Sequence, residues 1–366
     1  MTHTDILNPN PAYAALGFGL MRLPSAAVTA NMADMYLEAG FNYFDTAYVY
    51  GGSEDKFKKA VSSRHRRESY MIADKIPPWM TNNRGSNDRL LNESLKRCGV
   101  DYFDFYLVHA LDDDNERKAV SVGIYEWIKE QKKKGVCKHI GFSFHGTARL
   151  LDHILTAHPE MEFAQLQLNY YDILKGDADV LHDIALKHKK PIIVMEPVRG
   201  GNLASVSRAA ESLLKARAPD ASIASWAIRY AASLRGATCV LSGMSNIDHM
   251  RDNLKTYNPF EPLTDDELEL IKRTLAEKSS IAGIPCTSCG YCLAECPNEI
   301  MIPECFTIYN DYKRGSAQTK ALNSYNALPK NRRAQDCTAC GACIPRCPQH
   351  IDIPAELKMT AGHFTV

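Results

Sequence analysis

Short apolar runs alternate with segments of helical periodicity along the first two thirds of the chain. The runs fall at residues 16–21, 41–46, 70–75, 103–109, 138–143, 163–168, 191–195 and 238–242. Between the first two, residues 29–39 place Met32, Met35, Tyr36 and Ala39 on one face at helical spacing. A helix is expected over residues 53–63, with Ser53 able to cap it, and another over 87–98 after a long loop at 77–86 of the kind that helps to cover a pocket. The helix ahead of the fifth run closes on Lys132-Lys133-Lys134-Gly135, where cations meet the negative end of the helix dipole and glycine stops it. Eight strand–helix repeats are the number that closes a parallel barrel. An open doubly wound sheet would ordinarily show a Gly-x-Gly-x-x-Gly turn, which this chain lacks.

The alternation ends near residue 262. Thr264-x-x-Glu267 then forms a capping box ahead of Leu268, Leu270, Ile271 and Leu275, which marks a helix between two domains. The expected organisation is a barrel over residues 1–262, a linker helix over 263–281 and a second domain over 282–366. The second domain is built on a repeat. Cys286, Cys289, Cys292 and Cys296-Pro297 are answered by Cys337, Cys340, Cys343 and Cys347-Pro348, each displaced by 51 residues. The match extends to Ile300-x-Ile302-Pro303 and Ile351-x-Ile353-Pro354.

A Cys-x2-Cys-x2-Cys-x3-Cys-Pro run resembles that of the bacterial ferredoxins, in which the fourth cysteine of each run serves the other cluster. Three thiolates two residues apart wrap one face of a cubane, and the fourth must arrive from elsewhere. One 4Fe-4S cluster is therefore assigned to Cys286, Cys289, Cys292 and Cys347, and a second to Cys337, Cys340, Cys343 and Cys296. Zinc also takes four thiolates, but its sites usually pair two Cys-x2-Cys knuckles. The 40 residues between Cys296 and Cys337 exceed the compact ferredoxin type, and 303–335 reads as helical, with Cys305 as core.

Composition narrows the remaining choices. The 43 basic and 43 acidic residues balance, and no basic stripe carries interleaved aromatics, so neither nucleic acid nor an anionic membrane is an expected partner. Residues 1–11 lack the basic start and apolar core of a signal peptide, and no apolar run approaches a membrane span, so a cytoplasmic location is expected. In that compartment 12 cysteines would not normally pair as disulfides. Cys98, Cys137 and Cys239, outside the repeat, read as small buried apolar residues. The acidic run Asp112 to Asp114 reads as a helix start.

Chemistry gathers at the ends of the runs, where barrel strands meet the loops that carry catalytic groups. Asp45 stands at the end of the second run and Tyr50 just beyond it, Lys75 closes the third, His109 the fourth and Ser143 the fifth. Tyrosine is a poor acid at its reference pKa of about 10, and a nearby ammonium favours the phenolate. Lys75, held by Asp45, would be that ammonium. Asp45-Thr46-Ala47-x-x-Tyr50-Gly51-x-Ser53-Glu54, the lysine ending Met71-Ile72-Ala73-Asp74-Lys75 and the histidine of Leu107-Val108-His109 resemble the tetrad of the aldo/keto reductase family, here in a branch fused to a dicluster domain. The resemblance implies an oxidoreductase in which Tyr50 is the general acid, Lys75 and Asp45 tune it, and His109 orients a small-molecule carbonyl or alcohol.

The same resemblance implies NADP or NAD, with the nicotinamide held by Ser143 and Gln165 and the adenosine side by Gly243, Ser245 and Asn253. A glycine turn and helix start after the eighth strand also make an anion site. Phe144, Met195, Met244 and the loop Glu196-Pro197-Val198-Arg199-Gly200-Gly201 depart from the family pattern. Hydride transfer moves two electrons together, whereas each cubane moves one. The sequence leaves open a flavin mediator, a structural role for the clusters, or single-electron delivery from a redox protein partner to a barrel substrate without nicotinamide.

Overall fold

The computed structural model describes residues 13–276 and 283–364. The polar start at residues 1–11, and the part of 263–281 beyond residue 276, lie outside the described residues. Eight parallel strands close into a barrel in chain order: β1 Ala15–Gly19, β2 Tyr43–Asp45, β3 Met71–Ile76, β4 Phe103–Leu111, β5 Cys137–Phe144, β6 Phe163–Gln167, β7 Ile192–Met195 and β8 Ala237–Ser242. Closure is made where Gly17 of β1 stands opposite Tyr43 on one side and Leu241 on the other. The barrel read from the apolar runs is the one observed.

Tyr43, Ala73, Phe105, Leu107, Phe163, Ile193, Cys239 and Leu241, drawn from six strands, pack into one cluster. Helices cover the outside. In helix Ala26–Glu38, Tyr36 is fully buried and its hydroxyl is shared between the carbonyls of Leu16 and Tyr43 at 2.7 and 2.9 Å, which pins the helix across β1 and β2. Cys98, Cys137 and Cys239 are buried, as expected of small apolar residues.

Several local expectations are corrected. The first helix starts at Ala26 on a Ser25 cap, and Ala39, read as part of its apolar face, is the exposed residue that ends it. Ser53 does not cap its helix: Gly52, with φ +72°, occupies the cap, and the Ser53 hydroxyl sits 2.7 Å from that of Thr46 and donates to the Leu20 carbonyl. That helix is α-helical only over Ser53–Phe57 and widens into a π turn over Lys58–Ser62. The next begins at Arg84 rather than 87, because Asn83 and Ser86 form a reciprocal capping box. Two other signals match the structure. Asp112 caps helix Asp113–Ser121, and Thr264 and Glu267 exchange capping bonds at the start of helix Asp265–Ala276.

The chain forms two compact units. One comprises Met1–Pro197 and Ser225–Leu268, and the other Val198–Ala224 and Glu269–Val366. The second unit holds helices Ile302–Lys313, Gln318–Ala327 and Ile353–Phe364 around a core of Ile300, Phe306, Tyr309, Cys305, Tyr325, Leu357 and Phe364. The stretch expected to be helical over 303–335 is thus two helices and a short 3-10 turn, Ala334–Asp336. The cysteine repeat is a repeat of backbone geometry too. Ser288 and Ala339 have φ +55° and +54°, Gly290 and Gly341 +78° and +76°, and Glu299 and His350 +47° and +51°.

The segment after β7 belongs to this unit. Asn202 in the turn Arg199–Ala204 donates to the Cys286 carbonyl at 3.2 Å, and Gly200, at φ +64°, lies so close to Thr287 that a Cβ would collide with the Thr287 Cα. Both the left-handed conformation and the close approach require glycine there. Gly200→Ala should destabilise this contact by about 1–3 kcal/mol. Hydrogen–deuterium exchange should show faster exchange over residues 284–292 with the barrel strands unchanged, and unaltered exchange there would contradict the packing.

Candidate active site and cysteine cavities

Strand alternation sends neighbouring side chains of β3 to opposite faces. Lys75 is buried inside, with its ammonium 2.6 Å from Asp45 Oδ1 and 2.6 Å from the Thr46 carbonyl. Tyr50 lies on the turn between β2 and the helix at Ser53, where its amide bonds to Ala47 and its carbonyl accepts from Ser53. The Lys75 ammonium is 5.0 Å from the centre of the Tyr50 ring. His109 meets that ring edge-on, with centroids 5.8 Å apart. The four residues expected to act together are therefore brought to one place.

His109 is aimed by an irregularity in its strand. The register of β4 against β5 shifts between Val108 and Leu111, Ala110 takes φ +51°, and the Ala110 amide donates to Ser143 Oγ at 2.8 Å. Such bulges re-aim side chains beside functional sites. Burial, then the Lys75 charge and that of His145, hold the imidazole well below its ordinary pKa, so it is neutral. Burial also pushes the Asp45 carboxyl up, and Lys75 opposes the rise through its charge and hydrogen bond.

Sequence reasoning missed Trp79 and the pairing of Asp74 with Glu54. Trp79, in the loop expected to cover a pocket, packs on His109 with centroids 5.4 Å apart. A lone tryptophan between prolines and a polar stretch was the available signal. Behind Lys75, Asp74 and Glu54 are both buried, and burial followed by the Glu54 charge raises Asp74 well above the usual carboxylate range. Glu54 is also held by Arg97 at 3.1 Å. No spacing rule pairs residues that meet only through the fold.

The nucleotide candidates fall in two groups. Ser143 and Gln165 stand opposite each other on β5 and β6, both buried, with Gln165 Nε2 3.7 Å from the Met195 sulfur and Gln165 Oε1 without a hydrogen-bond partner. After β8, Gly243 is exposed, Ser245 lies 3.3 Å from His249, and Asn246 caps helix Ile247–Thr256. Asn253 is buried and donates to Ser242 at 2.9 Å.

In the second unit, Cys286, Cys289, Cys292 and Cys347 line one cavity, and Cys296, Cys337, Cys340 and Cys343 line another. Each triplet is joined by the fourth cysteine of the other repeat. Amides point at the sulfurs, with Ser288 N 3.3 Å from Cys286 and Ala339 N 3.4 Å from Cys337. Ile300 N is 3.4 Å from Cys296. Burial and the neighbouring thiols push the Cys343 thiol up to about 11. Four sulfurs with amide donors around one apolar cavity suit an iron–sulfur group, whose charge such bonds stabilise.

The aldo/keto reductase family model matches residues 15–276. The chain belongs to the aldo/keto reductase family. A 4Fe-4S dicluster domain matches residues 285–351. An aldo-keto reductase of Mycobacterium sp. (strain MCS) is 26% identical over 267 residues, 72% of this chain and 87% of that protein. A methylglyoxal reductase of Escherichia coli O157:H7 is 30% identical over 166 residues, 41% of this chain and 56% of that protein. Among solved structures, an aldo-keto reductase of Bacillus halodurans superposes with TM-score 0.59 at 24% identity, covering 70% of this chain and 91% of that one. One from Klebsiella pneumoniae in complex with NADPH gives 0.59 at 19% identity, covering 74% and 95%. This family member is an oxidoreductase with a 4Fe-4S domain, and among its described residues no helix is long and apolar enough to cross a membrane.

The neutral state of His109 has a measurable sign. A histidine whose native pKa lies below its ordinary 6.5 leaves the unfolded chain as the better proton binder, so its contribution to stability falls as pH drops through 6.5. Asp45 and Asp74, both raised, act in the opposite direction at lower pH but are common to wild type and variant. The unfolding free energy of wild type minus that of His109→Gln should decrease between about pH 7.5 and 5.5, as read by denaturant titration. A constant or increasing difference would refute the neutral imidazole.

Proposed function

We propose that this oxidoreductase reduces a small-molecule carbonyl, or oxidises the matching alcohol, at the Tyr50 hydroxyl. The observation that carries the reading is the buried Lys75 ammonium, held by Asp45 and Thr46 and lying 5.0 Å from the Tyr50 ring. An ammonium fixed there favours the phenolate and makes the hydroxyl a better acid. Tyr50 gives its proton to the carbonyl oxygen as that oxygen gains charge. Neutral His109 orients the same oxygen through a hydrogen bond, and Trp79 limits the space beside it.

A bound NAD(P)H would supply the hydride. Gln165 Oε1, buried without a partner, and the Ser143 hydroxyl, whose oxygen already accepts from Ala110, suit the two halves of a carboxamide: one accepts and the other donates. Gly243, Ser245 and the helix start at Asn246 would hold phosphate groups, and the buried Asn253 would border the adenosine side. The Klebsiella relative solved with NADPH has the same fold. The two cysteine cavities would hold two 4Fe-4S clusters, which store and pass single electrons.

Tyr50→Phe should lower kcat for a reducible aldehyde such as methylglyoxal by about 10²–10⁴, the usual worth of a positioned general acid. Its NADPH dissociation constant should not change. Full turnover in this variant would remove Tyr50 from the reaction. Gln165→Leu should weaken NADPH by roughly tenfold, as expected for the loss of one buried hydrogen bond of about 1.4 kcal/mol. Unchanged fluorescence titrations would refute the carboxamide assignment. Anaerobically prepared protein should carry about eight irons, four for each cysteine set, and a count near four would contradict the pairing of both sets.

A further inference from the structure

The cysteine repeat offers an internal comparison, because the two triplet loops share sequence spacing and backbone angles but not surroundings. In the first loop, Thr287 is buried at 2% exposure, and Ser288, Cys289 and Tyr291 are partly covered. The turn Arg199–Ala204 lies over it, through Gly200 on Thr287 and Asn202 on the Cys286 carbonyl. At the equivalent positions of the second loop, Thr338, Ala339, Cys340 and Ala342 are all exposed. Another segment of the chain thus lies over the first loop, and the second is exposed at the matching positions.

We propose that the Cys337–Cys343 loop is the face through which the second unit exchanges electrons with an external protein, a small one-electron carrier whose redox centre lies at its own surface. The inference rests on the reading that both cavities hold 4Fe-4S clusters. Cys340 is the exposed thiol of its set, and Ala339, Ala342 and Pro345 around it are short and uncharged, so a partner's surface can come close to the sulfur. Ile344 adds an apolar contact at 40% exposure, flanked by the Arg346–Glu295 ion pair at 3.1 Å. An apolar centre with a charged rim is the usual composition of a protein contact. In the first loop the turn Arg199–Ala204 covers the Thr287 end, and of residues 286–293 only Leu293, the counterpart of Ile344, is exposed, to the same 40%. The exchange makes and breaks no bond: the carrier loses one electron and the second unit gains it.

The test uses the anaerobic, iron-loaded full chain, exposed to an iron chelator together with iodoacetamide and sampled over time by peptide mass spectrometry. Cys337, Cys340, Cys343 and Cys296 should be alkylated as one set, several-fold faster than Cys286, Cys289, Cys292 and Cys347. Equal rates, or the reverse order, would overturn the proposal while the starting iron count upholds the clusters. A low starting count overturns it through the reading beneath it. In a second arm, Ala342→Trp should slow reduction by a reduced bacterial-type ferredoxin several-fold, with iron content and the rate with methyl viologen radical preserved. An unchanged ferredoxin rate would overturn the assignment of this face to a carrier.

Discussion

The buried contact between Lys75 and Asp45 is the constraint on which the catalytic half of the molecule depends. Taking two charges out of water costs several kcal/mol per ion, and their attraction offsets this only with close geometry and further hydrogen bonds. Both conditions are met, by a 2.6 Å contact and by the Thr46 carbonyl as second acceptor. Removing either partner would strand the other charge, at a typical cost of about 3–5 kcal/mol. The pair therefore ties β2 to β3 inside the barrel. It also sets the field at the mouth, since the same ammonium lies beside Tyr50 and helps keep His109 neutral.

The field serves two neighbours in different ways because burial acts on them in opposite directions. Desolvation opposes charge on any group, so it raises Asp45 and lowers His109. A cation beside an acid offsets desolvation, whereas beside a base it adds to it. One ammonium thus yields a retained carboxylate partner and an uncharged imidazole. A neutral imidazole can donate a hydrogen bond to an oxygen acceptor without carrying a charge of its own.

The barrel was legible in the sequence because strands buried in a parallel sheet leave compact apolar runs, and eight such runs define the closure. The grouping of Asp45, Tyr50, Lys75 and His109 was legible because they stand at, or just after, the ends of those runs. What could not be read was set by contacts distant in sequence. Ser53 looks like a helix cap, yet its hydroxyl is used by Thr46 and Leu20, and glycine takes the cap instead. Trp79 and the Asp74–Glu54 pair become neighbours of the site only once the strands are assembled. The loop beginning at Glu196 looked merely atypical of the family. Its Gly200 is explained by Thr287, 87 positions later in the chain, whose backbone leaves no room for a side chain.

That turn bears on how the second unit stays folded. Its core contains Cys292, Cys305 and Cys343 among the buried residues, with four further cysteines packed against it, so sulfur fills positions that a larger domain would give to hydrocarbon. Small domains of this kind generally depend on metal for stability. The crossed lining would strengthen that dependence, because each cavity draws its fourth cysteine from the opposite repeat and a group bound in either would hold both halves together. The first repeat has an additional support in Asn202 and Gly200, while the second exposes Cys340 at the corresponding place. Stability and access are thus divided between two repeats of the same cysteine spacing, and the division follows from one segment of chain after β7 lying on only one of them.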